Sequence, residues 1–294
     1  QQWGADESKG EVSEARILNR IIRWTGDGLE LEADPRQAER LMEECGLTGA
    51  NSVATPGVKP TTEQVMKDVE LEPKLATPFR GAAARALYLS ADRMDCQYVA
   101  KEVCRLMSKP TELGWAALKR LTRFLCGLPR MVYTYPWQTA THVEVYSDTD
   151  WSGCARTRKS TAGGVIMLGS HVIKTWSSTL GSVSLSSGEA EFYGVVKAAG
   201  KGLGYKSLLE DLGVSPPLRV WTDSSAAIGV CTRQGLGRLR HLDTHTLWVQ
   251  QAVRRGRFEL KKVEGVNNPA DLMTKYTSTR EKLNHLVRLF GCKY

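Results

Sequence analysis

From residue 143 to residue 275 the apolar pattern changes period in an order that few folds can satisfy. Three alternating segments come first, at about 143–148, 163–168 and 171–177. A long helical segment (188–212), a strand (217–221), two helices (224–232 and 244–255), a strand (258–263) and a helix (269–275) follow. Three consecutive strands, then two more separated by helices, predict an α/β domain built on a mixed five-stranded sheet with flanking helices.

Four carboxylates stand where these segments end or begin: Asp148, Glu191, Asp223 and Asp271. In the segment from His142 to Asp148, apolar Val143 and Val145 alternate with Glu144 and Tyr146 and deliver Asp148 to the strand's end. Asp150 shares that strand face by period two and is the rival, but the strand's end favours Asp148 and leaves Asp150 in the following loop. Leu218 to Trp221 brings Asp223 to a second strand end, so neighbouring strands would put both carboxylates on one rim. Ser186 or Ser187 reads as the N-cap of the long helix. Glu191, Gly194, Val195, Ala198 and Gly202 share one small-residue face of it, whereas Glu189 lies about 200° round. Asn268 before Pro269 caps a last helix and sets Asp271 in its first turn.

Taken singly, an Asp after a strand is ordinarily a turn former and a Glu in a first turn complements the helix dipole. The set of four is less ordinary. Two Mg²⁺ ions about 4 Å apart need acidic oxygens converging from different elements, one ion activating a water and the other stabilising the leaving oxygen. The set therefore points to metal-dependent phosphodiester hydrolysis, with all four residues as metal ligands.

Tyr146-Ser-Asp-Thr-Asp-Trp151, Arg158-Lys-Ser-Thr161, Leu185-Ser-Ser-Gly-Glu-Ala-Glu191, Asp223-Ser-Ser-Ala-Ala-Ile228, Arg240-His-Leu-Asp243 and Ala270-Asp-Leu-Met-Thr-Lys275 occur in that order. In these motifs the chain resembles the ribonuclease H domain of copia-type LTR retrotransposon Pol polyproteins. The resemblance implies a ribonuclease H-like fold, two Mg²⁺ ions (or Mn²⁺) on Asp148, Glu191, Asp223 and Asp271, and cleavage of the RNA strand of an RNA/DNA hybrid. Arg158, Lys159, Ser160, Ser187, Ser224, Arg240 and His241 are the expected nucleic-acid contacts. Two positions depart from the pattern: Cys154 stands where the family often has an acid, and Trp248 where it often has a His.

The first half reads differently. Ile17 to Glu32 is expected to be strand-turn-strand around Thr25-Gly-Asp-Gly28, and Asp34-Pro35 to cap a helix running to Cys45 before Gly46. Helices are expected at 79–90, 94–107 and 111–126. Val53-Ala-Thr-Pro-Gly57, Tyr88-Leu, and Met107-Ser-Lys-Pro110 followed by Trp115-Ala-Ala-Leu-Lys-Arg120 resemble the C-terminal part of a copia-type reverse transcriptase. The expected organisation is a smaller, mainly helical reverse-transcriptase remnant (1–47 and 79–137, with 48–78 as linker), a ribonuclease H domain (138–276) and a helical tail (277–294). No Tyr-x-Asp-Asp is present and the chain opens on Gln1, so it reads as a piece of a longer polyprotein whose upstream polymerase domain is its partner, without polymerase activity of its own.

Residues 1–140 carry 19 Lys/Arg against 19 Asp/Glu, and residues 141–294 carry 21 against 13, so the whole +8 falls in the second half. Its clusters Arg156 to Lys159, Arg233 to Arg240, Arg254 to Arg257 and Lys261-Lys262 suit phosphate. Seven scattered cysteines without Cys-x-x-Cys, no long apolar run and no signal-like start favour an intracellular, cytoplasmic or nuclear location over secretion or membrane insertion. Two other functions fit parts of the pattern. Asp223 and Glu259, with 35 residues between them, have transposase or integrase spacing, but Glu259 falls in a strand pattern. An inactive domesticated relic that binds hybrid without cutting it would have little reason to retain four acids.

Overall fold

The computed structural model describes residues 2–3, 11–237 and 240–294. They fall into two compact units, 138–275 and a second made of 1–137 with 276–294.

In chain order the discontinuous unit begins with β1 (Gln2–Trp3), β2 (Glu11–Val12), β3 (Glu14–Ile17), β4 (Arg20–Thr25), β5 (Gly28–Glu32) and α1 (Pro35–Glu44). It continues with α2 (Thr62–Met66), α3 (Pro73–Leu89), α4 (Met94–Cys104), α5 (Glu112–Gly127) and β6 (Val132–Pro136). The compact unit holds β7 (Val143–Asp150), β8 (Thr161–Leu168), β9 (His171–Thr179), α6 (Ser187–Asp211), β10 (Leu218–Thr222), α7 (Ser225–Thr232), α8 (Trp248–Arg254) and β11 (Glu259–Lys262). After it come α9 (Arg280–Leu289) and β12 (Cys292–Lys293).

The compact unit is the α/β, ribonuclease H-like domain predicted from the sequence. Its sheet runs β11-β10-β7-β8-β9, with β7, β10 and β11 parallel and β8 antiparallel to both its neighbours. Alternation along β7 sorts its two faces. Val143 and Val145 join Leu218, Val220, Phe192, Val195 and Ala198 in the core beneath α6, while Tyr146 on the other face stacks on Trp221. Ser186 caps α6 by accepting from the Glu189 N–H at 3.2 Å. The small face of α6 then seats it against the sheet. A Cβ at Gly194 would stand 2.4 Å from Thr149 Oγ1, and one at Gly202 2.9 Å from both Val145 and Leu218.

Two expected helices take tighter forms: 244–247 and 269–273 are 3₁₀ turns, the first leading into α8 and the second starting at Pro269 after the Asn268 cap. β7 also runs two residues past its expected end, so Asp150 lies in the strand and not in the loop, paired with Thr161.

The other unit is more sheet-rich than the sequence implies. Its antiparallel five-stranded sheet runs β12-β6-β5-β4-β3. The expected first strand is β4, and a tight turn at Leu18-Asn19, both at positive φ, joins it to β3, a strand that ends at the expected start, Ile17. The stretch expected as a linker (48–78) is built in. Thr55, Pro56 and Gly57 are buried, a Cβ on Gly57 would collide with Val99 and Tyr276, and α2 and the start of α3 lie within it. Residues 277–294 are not a separate tail: α9 buries Leu283, Leu286 and Val287, and β12 is an edge strand of the same sheet. Arg93 and Asp95 form a fully buried ion pair (2.8 Å), Pro129 O accepts from Arg93, and Tyr294 Oη donates to Asp95 at 3.1 Å.

Gly194→Ala is expected to destabilise the domain by about 1–3 kcal/mol, because the added methyl has no room beside Thr149 and Ser147. Gly204→Ala, in the same helix with nothing within 4 Å, should be neutral or stabilising by up to about 1 kcal/mol. Urea denaturation of the two variants tests the seating of α6, and equal midpoints would contradict it.

Candidate metal centre

Strand pairing brings the first two acids together. β7 and β10 are adjacent and parallel, with Trp221 opposite Tyr146, so Asp148 and Asp223 leave the same rim two residues further on. Glu191 reaches that rim from the second turn of α6, where the close seat at Gly194 holds the helix against β7. Each of Asp148, Glu191 and Asp223 presents a carboxylate oxygen within 4.8 Å of the others. Glu191 Oε1 accepts from the Thr149 N–H at 3.3 Å, whereas its buried Oε2 has no hydrogen-bond partner. Asp223 lies against Gly265, where a Cβ would stand 3.2 Å from its Oδ2.

Asp271 stands beside these three, 7% exposed, in the 3₁₀ turn 269–273. That turn is fixed to β7 and β8 at several points. Asn268 Nδ2 donates to Ser147 O at 3.0 Å, Thr274 Oγ1 donates to Asp148 Oδ2, and Gly163, opposite Asp148 in β8, leaves room for Met273 and Thr274. Lys275 Nζ pairs with Asp271 Oδ1 and lies 3.7 Å from Asp148 Oδ2. Thr274 and Lys275 belong to the last motif, but no sequence signal gave them a role. The adjacent glycines 163 and 164 inside a strand pattern were the available mark of a close backbone approach.

Burial and mutual repulsion raise two of the carboxylates. Desolvation pushes Asp148 up to about 6, with Asp271 and Asp223 adding to the rise and Lys275 and Thr274 opposing it. Desolvation, then Asp148 and Asp223, push Glu191 up to about 9. Burial alone would lower the Lys275 ammonium, but Asp148 and Asp271 hold it raised. Hard oxygen donors, an unpartnered buried carboxylate oxygen and a surplus of negative potential are the donor set that suits a small divalent cation.

The expected nucleic-acid contacts lie in four places. Arg158 and Lys159 sit in the β7–β8 loop, Arg158 exposed and at positive φ. Ser160, in contrast to the expectation, is fully buried and accepts from the Ser152 N–H at 3.0 Å, so it braces the loop and offers no surface. Ser187 is exposed on the first turn of α6, and Ser224, beside Asp223, caps α7 by accepting from the Ala227 N–H. Arg240 and His241 are exposed; His241 Nε2 lies 2.9 Å from Glu189 Oε2. Glu189 is itself buried and accepts from the Leu185 N–H at 2.9 Å, turned away from the three acids as the helical register requires. Arg238 of the Arg233 to Arg240 cluster lies outside the described residues. Glu259 stands exposed on β11, paired with Arg219 (3.0 Å) and Lys261 (3.4 Å), and is not among the converging acids. Trp248 opens α8 and packs on the core.

No protein-family model matches the chain. It is 30% identical over 202 residues to the retrovirus-related Pol polyprotein from transposon RE2 of Arabidopsis thaliana, which covers 68% of this chain and 14% of that protein. It is 25% identical over 260 residues to the corresponding polyprotein from transposon TNT 1-94 of Nicotiana tabacum, 86% of this chain and 19% of that protein. The chain thus spans less than a fifth of the length of these relatives. Among solved structures, the N-terminal RNase H domain of a Mycobacterium tuberculosis protein is 16% identical, covers 51% of this chain and 98% of its own, and has a TM-score of 0.31. LC11-RNase H1, solved in complex with RNA/DNA hybrid, is 17% identical, covers 45% of this chain and 93% of its own, and has a TM-score of 0.30.

A carboxylate raised by folding holds its proton more tightly in the folded state, so it lowers stability as pH rises from its unfolded value through its folded one. Glu191→Gln should therefore stabilise the metal-free protein by about 1 kcal/mol or more at pH 8, and by much less at pH 4.5, where the folded carboxyl is protonated and the unfolded one about half so. Thermal melts in chelator at the two pH values test this, and an equal or negative effect at pH 8 would overturn the picture of a strained acidic cluster.

Proposed function

We propose that this chain, a relative of copia-type retrotransposon Pol polyproteins with a ribonuclease H-like domain, cuts the RNA strand of RNA/DNA hybrids in a Mg²⁺- or Mn²⁺-dependent reaction. The observation that carries the reading is the convergence of Asp148, Glu191 and Asp223 from two parallel strands and a helix onto one rim, each with an oxygen within 4.8 Å of the others. These three, with Asp271 beside them, are the residues that would hold the metal. Bound divalent ions would supply a more acidic water and charge neutralisation at the leaving oxygen.

The protein's own groups have separable parts in this reading. Thr149 N–H and the close α6 seat orient Glu191. Thr274 orients Asp148, and Gly265 lets Asp223 approach without obstruction. Exposed Arg158 and the exposed run Arg254, Arg255 and Arg257, with Lys261 and Lys262 on β11, supply salt-dependent attraction to phosphate. Discrimination between hybrid and DNA duplex would rest on groove shape and the 2′-hydroxyl, which charge alone does not read. The upstream polymerase domain of a Pol polyprotein is the expected covalent partner, and an intracellular location follows from this reading.

Asp223→Asn replaces an anionic ligand by a neutral one of the same shape and should reduce hybrid cleavage by at least about 100-fold. Glu191→Gln should match it, whereas Glu189→Gln, whose amide oxygen still accepts from Leu185, should stay within about tenfold of the parent. The assay is a labelled hybrid with and without Mg²⁺, with double-stranded RNA and DNA as controls. Cleavage that survives chelator, Asp223→Asn activity within tenfold of the parent, or equal cutting of all three duplexes would each overturn the reading.

A further inference from the structure

We propose that Lys275 is a built-in counter-ion lodged between Asp148 and Asp271, so that the centre takes up one divalent ion readily and a second only as the Lys275 ammonium withdraws. The inference rests on the metal-dependent reading above and adds an order of binding to it. Two ion pairs place the ammonium: one with Asp271 Oδ1, four residues back in the chain, and one at 3.7 Å with Asp148 Oδ2. Asp148 is thus shared. It is grouped with Glu191 and Asp223, while its Oδ2 also meets Thr274 and Lys275.

The placement follows from the backbone and not from a side chain drifting over an acidic surface. The segment from Asn268 to Thr274 is tied to β7 by Asn268 Nδ2 on Ser147 O and by Thr274 Oγ1 on Asp148, and it lies against the bare backbone of Gly163. Lys275 follows directly on the anchored Thr274. Its side chain nevertheless remains 43% exposed, so the ammonium has a path to solvent. Charge decides the sequence of events. In the ionised form that ligates metal, four carboxylates and one ammonium carry a formal surplus of three negative charges, which one divalent ion reduces to one. A second divalent ion would make the cluster net positive unless the ammonium leaves, and like charges at this separation in a partly desolvated site repel strongly.

The test is Mn²⁺ binding to the full chain without nucleic acid, followed by the loss of the free-ion paramagnetic resonance signal, for the parent, Lys275→Met, Lys275→Arg and Asp223→Asn. The parent is expected to bind one Mn²⁺ and a second at least tenfold more weakly. Lys275→Met, which keeps the length and removes the charge, should tighten the second site roughly tenfold or more, and Lys275→Arg should restore the parent's pattern. A Lys275→Met isotherm within threefold of the parent at both sites would overturn the proposal, as would loss of the first site in a variant whose melting curve shows it folded. Asp223→Asn separates this from the parent reading. If it weakens the first site while Lys275→Met changes nothing, the metal centre stands and the role of Lys275 falls. If it binds like the parent, the ligand assignment itself fails.

Discussion

Repulsion among carboxylates gathered at one rim is the constraint the ribonuclease H-like domain is organised to withstand. Asp148 and Glu191 both bind protons more tightly than free carboxyls do, with burial as the main cause and their acidic neighbours adding to it. Such a cluster would relax if its elements could move apart, and the fold prevents this at each member. β7 and β10 are joined by a parallel ladder, α6 is seated through Gly194 and Gly202, and the 269–273 turn is tied to Ser147 and Asp148. The stability lost at the rim is offset by the apolar layer between α6 and the sheet, where Val143, Val145, Phe192, Val195, Leu218 and Val220 are buried almost completely.

Much of this domain was legible because its signals are local. Period-two alternation marks β7 and β10, a serine cap marks the start of α6, and the face of small residues fixes which of Glu189 and Glu191 points at the other acids. The illegible parts depend on non-local partners. Asp150 belongs to the strand only because Thr161 pairs with it, and Ser160 is buried because the loop folds Ser152 back over it. Lys275 acquires its place from contacts with Asp148, more than a hundred residues earlier in the chain.

The other unit was read less well for the same reason. Its helices announce themselves by apolar spacing, but β6 and β12 are short, and β12 pairs with a strand on the far side of the whole ribonuclease H-like domain in sequence. The segment Val53 to Gly57, rich in turn-forming residues, reads as linker until Val99 and Tyr276 are seen packed against Gly57. Glycine there signals crowding and not freedom.

The return of the chain to the first sheet after residue 275 makes the compact domain an insertion within the other unit's sequence, not an appendage after it. A cut after Lys275 would leave every converging carboxylate in place, yet it would strip β6 of its outer partner and take away the Tyr294 hydroxyl from the buried Arg93–Asp95 pair. β6 would then present an unpaired row of backbone donors and acceptors, an adhesive edge for other chains. The last nineteen residues therefore act as a seal: they complete the fold of a region that was synthesised more than a hundred residues earlier, and that region stays unfinished until the inserted domain has been made.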